Sequence, residues 1–418
     1  SCTSIDAQTY VAVSEEDRQD IVSLVREIIE TKLKYFSFDE TSLIFRRPFW
    51  MCFESSSYSV EKILQSIDVD QKNLDRLHKE VEDILVSIFC LDGTDAEGDI
   101  REYSKILQDD KPLLKEVTSG FSLEEYLKND LLLFFMGCCF GRWQPESIVK
   151  RSFDISAEKY FEEYLSDLSL CEVESGKEIL GEDELCEPDK FIGCHAVISN
   201  QLDALQVSRE NLRDFFTGDC LIFEYQLRKY QSGRKQSPIY WPISTVSGSY
   251  TLWLYYPCLT DQTLFTAVND FVEPKLNSVR YELDLLHGKG ANRTRREESD
   301  LEILVGLEHE LADLRDSLLE IAPNYRPNQD DGVQVTAAPL WKLFRHRAWQ
   351  KGLKDTWAKL EKGDYDWAHL AMSYWPERVR EKCITDKSLA IAHNLEHLYI
   401  EPEVTPKKTR GRAKNQDA

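Results

Sequence analysis

No run of apolar residues in this chain comes near the ~20 needed to span a bilayer. The longest, Leu131–Phe140, is about half that length and contains Gly137, so it reads as a buried helix. The first residues show no basic-then-apolar signal pattern. Residue 1 is Ser, not Met, which reads as a processed or truncated piece of something longer. The 11 cysteines are odd in number and include no CxxC pair. Cys138 and Cys139 are adjacent, and Cys90, Cys258 and Cys383 lie among apolar residues. That usage predicts reduced, buried thiols in a cytoplasmic protein, not a disulfide framework. Cys171, Cys186, Cys194 and His195 come nearest to a zinc cluster, but their spacing fits no usual knuckle. Catalytic signatures are missing as well: no GxSxG, no P-loop, no HExxH. Nor does a glycine-rich strand-to-helix turn offer a cradle for a cofactor. No catalytic, cofactor-binding or metal-binding residue is assigned on these grounds.

Positive charge is scarce overall. The formal net charge is −23, which argues against non-specific nucleic-acid binding by the whole surface. The acidity is uneven, however. Counting Lys and Arg against Asp and Glu, residues 1–200 carry −21 and residues 201–418 only −2. Basic islands stand out at 221–250 (+3), 341–350 (+3) and 401–418 (+2). A local basic groove in the second half is therefore compatible with the overall charge.

Periodicity predicts an α+β protein that is predominantly helical, with a small β-hairpin or sheet region near 216–258 followed by a long helical hairpin. Residues 1–120 read as a helical acidic domain. Ser14 followed by Glu15, Glu16 and Asp17 starts one helix; Leu74, Leu77, Val81, Ile84, Leu85 and Ile88 share a face of another. Residues 121–258 read as a mixed α/β part, with a helix from Phe121 to Gly137 and a surface insertion at Glu172–Lys190. Tyr240–Thr245 and Ser249–Tyr256 read as a hairpin turned by Val246-Ser-Gly248. Residues 259–322 read as the helical hairpin, Thr263–Leu286 and Arg293–Glu320, with Leu301, Leu304, Leu307, Leu311, Leu314 and Leu318 as an internal packing seam. Residues 323–402 form a Trp-rich helical segment after a polar connector at Ala322–Pro339. Residues 403–418 form a basic tail with no reason to fold.

The stretch 228–256 is the strongest local signal. Arg228, Lys229, Arg234 and Lys235 flank Gly233, a loop suited to gripping phosphates. Aromatic strands follow. Alternation assigns most of their rings to the core and leaves Tyr240 and Trp241 as candidates for stacking on bases. Arg410 and Arg412 sit in an AT-hook-like arm able to enter a minor groove. Arg345, His346 and Arg347 have two readings, a backbone contact or the polar face of a short helix. Asp364, Asp366 and His369 lie close together and read as helix capping rather than a metal site.

Longer blocks carry a family resemblance. Gly233-Arg-Lys-Gln-Ser-Pro-Ile-Tyr-Trp-Pro-Ile-Ser-Thr, Gly248-Ser-Tyr-Thr-Leu-Trp-Leu-Tyr-Tyr, Leu259-Thr-Asp-Gln-Thr-Leu-Phe and Val268-Asn-Asp-Phe-Val-Glu-Pro-Lys-Leu276 form a central set. Outward from it lie Glu40-Thr-Ser with Phe45, Met136-Gly-Cys-Cys-Phe-Gly-Arg-Trp143, Asp331 through His346, and Gly363-Asp-Tyr-Asp-Trp-Ala-His-Leu370. Together, from about Val22 to Leu398, they resemble the C-terminal region of PglX-like adenine-specific DNA methyltransferases. These are enzymes of BREX phage-exclusion systems, with relatives among type IIG restriction-modification proteins. Leu43 and Ile44 depart from the family's Trp-Asp.

The resemblance implies methylation of the exocyclic amine of adenine, with S-adenosylmethionine as donor in the full-length family member. The family flips the target base out of the duplex and holds it with an Asn-Pro-Pro-aromatic motif. That motif does not occur in these 418 residues, so no catalytic residue is carried over. The expectation is a DNA-recognition and scaffolding part whose partners are double-stranded DNA and other defence-system subunits. The alternative is a truncated, non-catalytic interaction protein that binds such a subunit through its acidic first half.

Overall fold

The computed structural model describes residues 13–36, 38, 60–89, 122–143, 176–185, 215–217, 221–232 and 235–401. The chain is an α+β protein dominated by helix, and it divides into two compact units, 1–258 and 259–418.

Unit 1 opens with two long helices, α1 (Glu15–Phe36) and α2 (Val60–Phe89). Ser14 Oγ accepts from the Asp17 backbone N–H at 3.0 Å, and three acids occupy the first turn, where the helix's positive end favours them. Ile28, Leu74 and Leu77 form the seam, with Leu24 and Val81 packed against it. Lys34 and the Tyr35 hydroxyl both donate to Asp70 Oδ2, at 2.8 and 2.9 Å. Asn73 donates to Glu27. Pairing 34 with 70 and 27 with 73 means the helices run antiparallel.

The second core of unit 1 is a sheet. Its strands β1 (Ile179–Gly181), β4 (Tyr240–Ser244) and β5 (Thr251–Tyr255) pair antiparallel in the order β1-β5-β4. A two-residue ribbon, β2 (Gln231–Ser232) and β3 (Lys235–Gln236), precedes it. The predicted hairpin is present, and Gly248 at φ 75° supplies the left-handed residue of its turn. The predicted surface insertion at Glu172–Lys190 is corrected in its middle, because Ile179 and Leu180 are buried in the sheet. Three residues are too few to show alternation, and the acids around them conceal the strand.

By register, Tyr240, Pro242 and Ser244 share a face with Tyr255, Trp253 and Thr251. Helix α3 (Leu123–Cys139) supplies the cover for that face; it is capped by a Ser122–Glu125 box and buried along most of its length. Phe140, just after it, lies 5.3 Å from Tyr240 and 5.4 Å from Tyr255, ring centre to ring centre. The opposite face, with Trp241, Ile243, Leu252 and Leu254, is buried too. On the open edge of β4, Gln226 of helix α4 (Leu221–Lys229) stands in for a neighbouring strand. Its Oε1 accepts from the N–H groups of Ile239 and Tyr240, and its Nε2 donates to the Tyr240 carbonyl. That caps an edge which no described strand pairs.

The 136–143 block has a packing explanation. A Cβ on Gly137 would lie 2.6 Å from Trp143 Cδ1 and 3.0 Å from the Tyr240 hydroxyl. Gly141, at φ 81°, reverses the chain so that Arg142 lies over Trp143 and donates to the Tyr230 hydroxyl at 2.8 Å. Gly137→Ala is expected to cost about 1–3 kcal/mol by overpacking, read as an earlier urea midpoint. An unchanged midpoint would mean that Trp143 moves aside freely.

Unit 2 begins with a continuous helical run: Thr263–Thr266, a π-helical stretch Ala267–Val272, then α5 (Glu273–Gly288). It pairs with α6 (Arg295–Ile321), which starts on a Thr294–Glu297 capping box. Leu311, Leu314 and Leu318 are buried, so the proximal part of the leucine seam packs within unit 2. The polar connector at Ala322–Pro339 is ordered by burial: Tyr325, Asp331, Thr336 and Ala337 are all inside, and α7 (Val333–Ala337) lies within it. Short helices follow, α8 (Arg347–Lys362), α9 (His369–Tyr374), α10 (Pro376–Cys383) and α11 (Lys387–Ala392).

Candidate nucleic-acid interface

The four cations at 228–235 do not act as one loop. Arg228, in the last turn of α4, is exposed and donates to Glu224 at 2.6 Å one turn back. Lys229 turns inward. Its ammonium pairs with Asp130 of α3, and the two side chains are only 4 % and 5 % exposed. The Tyr225 hydroxyl also donates to Asp130, at 3.3 Å, and the ammonium lies over the Tyr225 ring. Lys229 is thereby corrected from a phosphate contact to a structural ion. Lys235 is exposed on the ribbon, paired across it with Ser232. Arg234 lies outside the described residues, as do Arg410 and Arg412.

Tyr240 and Trp241 are corrected likewise. Both are 0 % exposed. Tyr240 is stacked on Phe140 and Tyr255, and Trp241 donates its indole N–H to the Pro238 carbonyl at 2.8 Å. No base can stack on either ring in this arrangement. Alternation predicts one open face, but the sheet is covered on both.

In unit 2, His346 Nδ1 accepts from the Trp349 N–H and caps α8, so it belongs to the fold. Arg345 is half-buried, and that burial lowers its pKa, with Glu310 opposing. Arg347 is exposed. The predicted capping by Asp364 or Asp366 is replaced by a more distant one. Asp331 accepts from the backbone N–H groups of His369 and Leu370, at 2.7 and 2.8 Å, and its Oδ1 meets His369 Nδ1 at 3.1 Å. Asp366 instead holds Arg378 and Lys382, each at 2.6 Å.

Among the described residues no group of His, Cys, Asp and Glu could hold a metal ion; Cys171, Cys186, Cys194 and His195 lie outside them. Cys138, Cys139, Cys258 and Cys383 are free thiols, and burial raises the pKa of the last two. No described helix is long and apolar enough to cross a membrane.

One concentration of cations escaped the sequence reading. Lys289, Arg293, Arg295 and Arg296 surround the hairpin loop between α5 and α6, and no acid occurs from 287 to 296. Averaging with the acids of α6 conceals it. Here the Glu297 carboxyl is held at about 2, below its ordinary 4.5, first by the Lys289 ammonium at 2.5 Å and then by the Thr294 N–H and hydroxyl. A depressed folded pKa adds stability above the unfolded value that is lost as pH falls. Protection of the amides at 295–298 from hydrogen exchange is therefore expected to decline from about pH 4.5 towards 2. Constant protection across that window would show that Glu297 does not hold the cap.

The chain matches no protein-family model, and a search of curated proteins finds no match.

Proposed function

We propose that this chain is the DNA-engaging and scaffolding part of an adenine-specific DNA methyltransferase of a cytoplasmic phage-defence system, of the BREX or restriction-modification kind. The methyl-transfer chemistry belongs to the family's methyltransferase domain, whose motifs these residues do not contain. Among the described residues nothing fits S-adenosylmethionine. The described sheet is antiparallel, and none of its strands enters a helix through a glycine-rich turn.

The observation that supports this reading most is that blocks carrying the resemblance meet in space. The 136–143 block packs on the aromatic strands of the 233–256 blocks through Gly137, Phe140 and Arg142. The block beginning at Asp331 clasps the one ending at Leu370. Segments separated by roughly a hundred or forty residues thus form shared cores, as parts of one inherited fold do.

A salt-titrated gel shift with double-stranded DNA tests it. Binding at low salt, weakened by Arg234→Ala and Lys235→Ala with a shallower salt slope, is the expected result. No binding at low salt would favour a second reading, a non-catalytic partner of another defence subunit, which the charge of −20 on unit 1 also favours. Methyl transfer from labelled cofactor by the chain alone would overturn both.

A further inference from the structure

Residues 287–296, His-Gly-Lys-Gly-Ala-Asn-Arg-Thr-Arg-Arg, hold four cations and no acid. Between Leu283 and Leu311 no residue of unit 2 is buried. Among the described residues the distal hairpin is therefore an arm on which α5 and α6 support each other. From Leu311 back to Arg295 it extends about 24 Å at helical rise. Its shaft carries acids, including Asp300, Glu302 and Glu308; of the two acids in the first turn beside Arg295 and Arg296, Glu297 is taken up by Lys289 and the Thr294 cap and Glu298 is exposed, so cations outnumber acids at the tip.

Two of the four cations hold the loop together. Lys289 donates to Glu297, and Arg293 donates to the Leu286 carbonyl at 3.1 Å. Arg295 and Arg296 are exposed, and no ion pair or hydrogen bond engages their side chains among the described residues. Their position works against the fold. They are the first two residues of α6, where the helix's positive end disfavours cations. The helix end itself is already occupied by its Thr294–Glu297 cap. Stability does not account for two arginines there, whereas gripping an anion does.

We infer that the hairpin tip is a second DNA contact, at which Arg295 and Arg296 grip the phosphate backbone of a duplex. This rests on the DNA-engaging reading above. A planar guanidinium matches a phosphate in two-pronged fashion. Two helices side by side, with axes ~8–10 Å apart and each ~10–12 Å across, make a tip about 20 Å wide. A major groove of about 12 Å does not admit it. The tip therefore lies on the backbone and contributes without regard to base sequence. The arm is longer than the ~10 Å Debye length at 0.1 M salt, so a polyanion at the tip is screened from the body of unit 2.

The test is a fluorescence-anisotropy titration of labelled duplexes of two unrelated sequences against the full chain. The variants are Arg295→Ala/Arg296→Ala and, as a shaft control, Arg280→Ala, whose guanidinium pairs with Glu308. The double variant is expected to bind both duplexes about tenfold or more weakly at low salt, with the salt slope shallower by about 2. The control is expected to match the wild type. Alanine relieves repulsion at the helix start, so the variant keeps its fold, which circular dichroism checks. Arg295→Gln/Arg296→Gln repeats the loss of charge at similar side-chain length. A double variant that binds like the wild type would overturn the tip and leave the DNA reading standing. A wild type that fails to bind either duplex would overturn the DNA reading itself. Equal competition by polyglutamate and by duplex at matched charge would show a general acidic-polymer site and sink the phosphate assignment.

Discussion

Asp130→Ala is expected to destabilise unit 1 by about 3–5 kcal/mol, the largest loss of any single substitution considered, because it removes one partner of a buried ion pair. Both side chains are almost wholly out of solvent, and the Tyr225 hydroxyl also donates to the carboxylate. The comparison that isolates the charge is Asp130→Leu/Lys229→Met. Removing both ions together avoids the stranded charge and is expected to cost far less, or to stabilise. Hydrogen exchange at the β4 and β5 amides reports the opening of unit 1 directly. A loss below about 1 kcal/mol for Asp130→Ala, the size of an exposed pair, would mean that the Lys229 ammonium reaches water in the folded chain. The same variants bear on function. Lys229→Met is expected to leave the salt slope of DNA binding unchanged, since a buried ammonium releases no counter-ion from a duplex.

Asp331→Ala is expected to cost unit 2 about 2–4 kcal/mol. One carboxylate there, buried in the Ala322–Pro339 segment, satisfies two N–H groups at the start of α9 and holds the His369 ring. Losing a cap costs about 0.5–2 kcal/mol, and a stranded buried donor adds about 1–3. Asp331→Asn keeps one acceptor but turns a donor towards the other N–H, so it is expected to retain roughly half of the effect. Urea unfolding of the two variants, with exchange at the 368–371 amides, gives the order wild type, Asn, Ala. If Asn were as damaging as Ala, the negative charge at the helix start would matter more than the hydrogen bonds.

Elements long enough to repeat their pattern were legible from residues alone. The helices α1, α2, α5 and α6 follow their apolar spacing, and Gly248 marks the hairpin turn. Charge, by contrast, says where cations are and not which way they face. Arg228, Lys229 and Lys235 lie within eight residues, yet one is paired on its own helix, one is buried against α3 and one is exposed. Asp364 and Asp366 stand in the right place for a local cap of α9, but the cap comes from Asp331, 38 residues away.

For the stretch 228–256, the residue pattern alone established a hairpin with an aromatic core and a basic approach to it, because alternation and turn chemistry are local. Only the tertiary structure decided that both faces of the sheet are covered, that Tyr240 and Trp241 are out of reach, and that a third strand comes from Ile179–Gly181. Those outcomes depend on which distant apolar surfaces are brought together, and burial is a property of the packed whole. The same holds for the hairpin tip. The four cations can be read in the sequence, but that they stand on an arm with no buried residue between Leu283 and Leu311 is set by what the surrounding chain leaves uncovered.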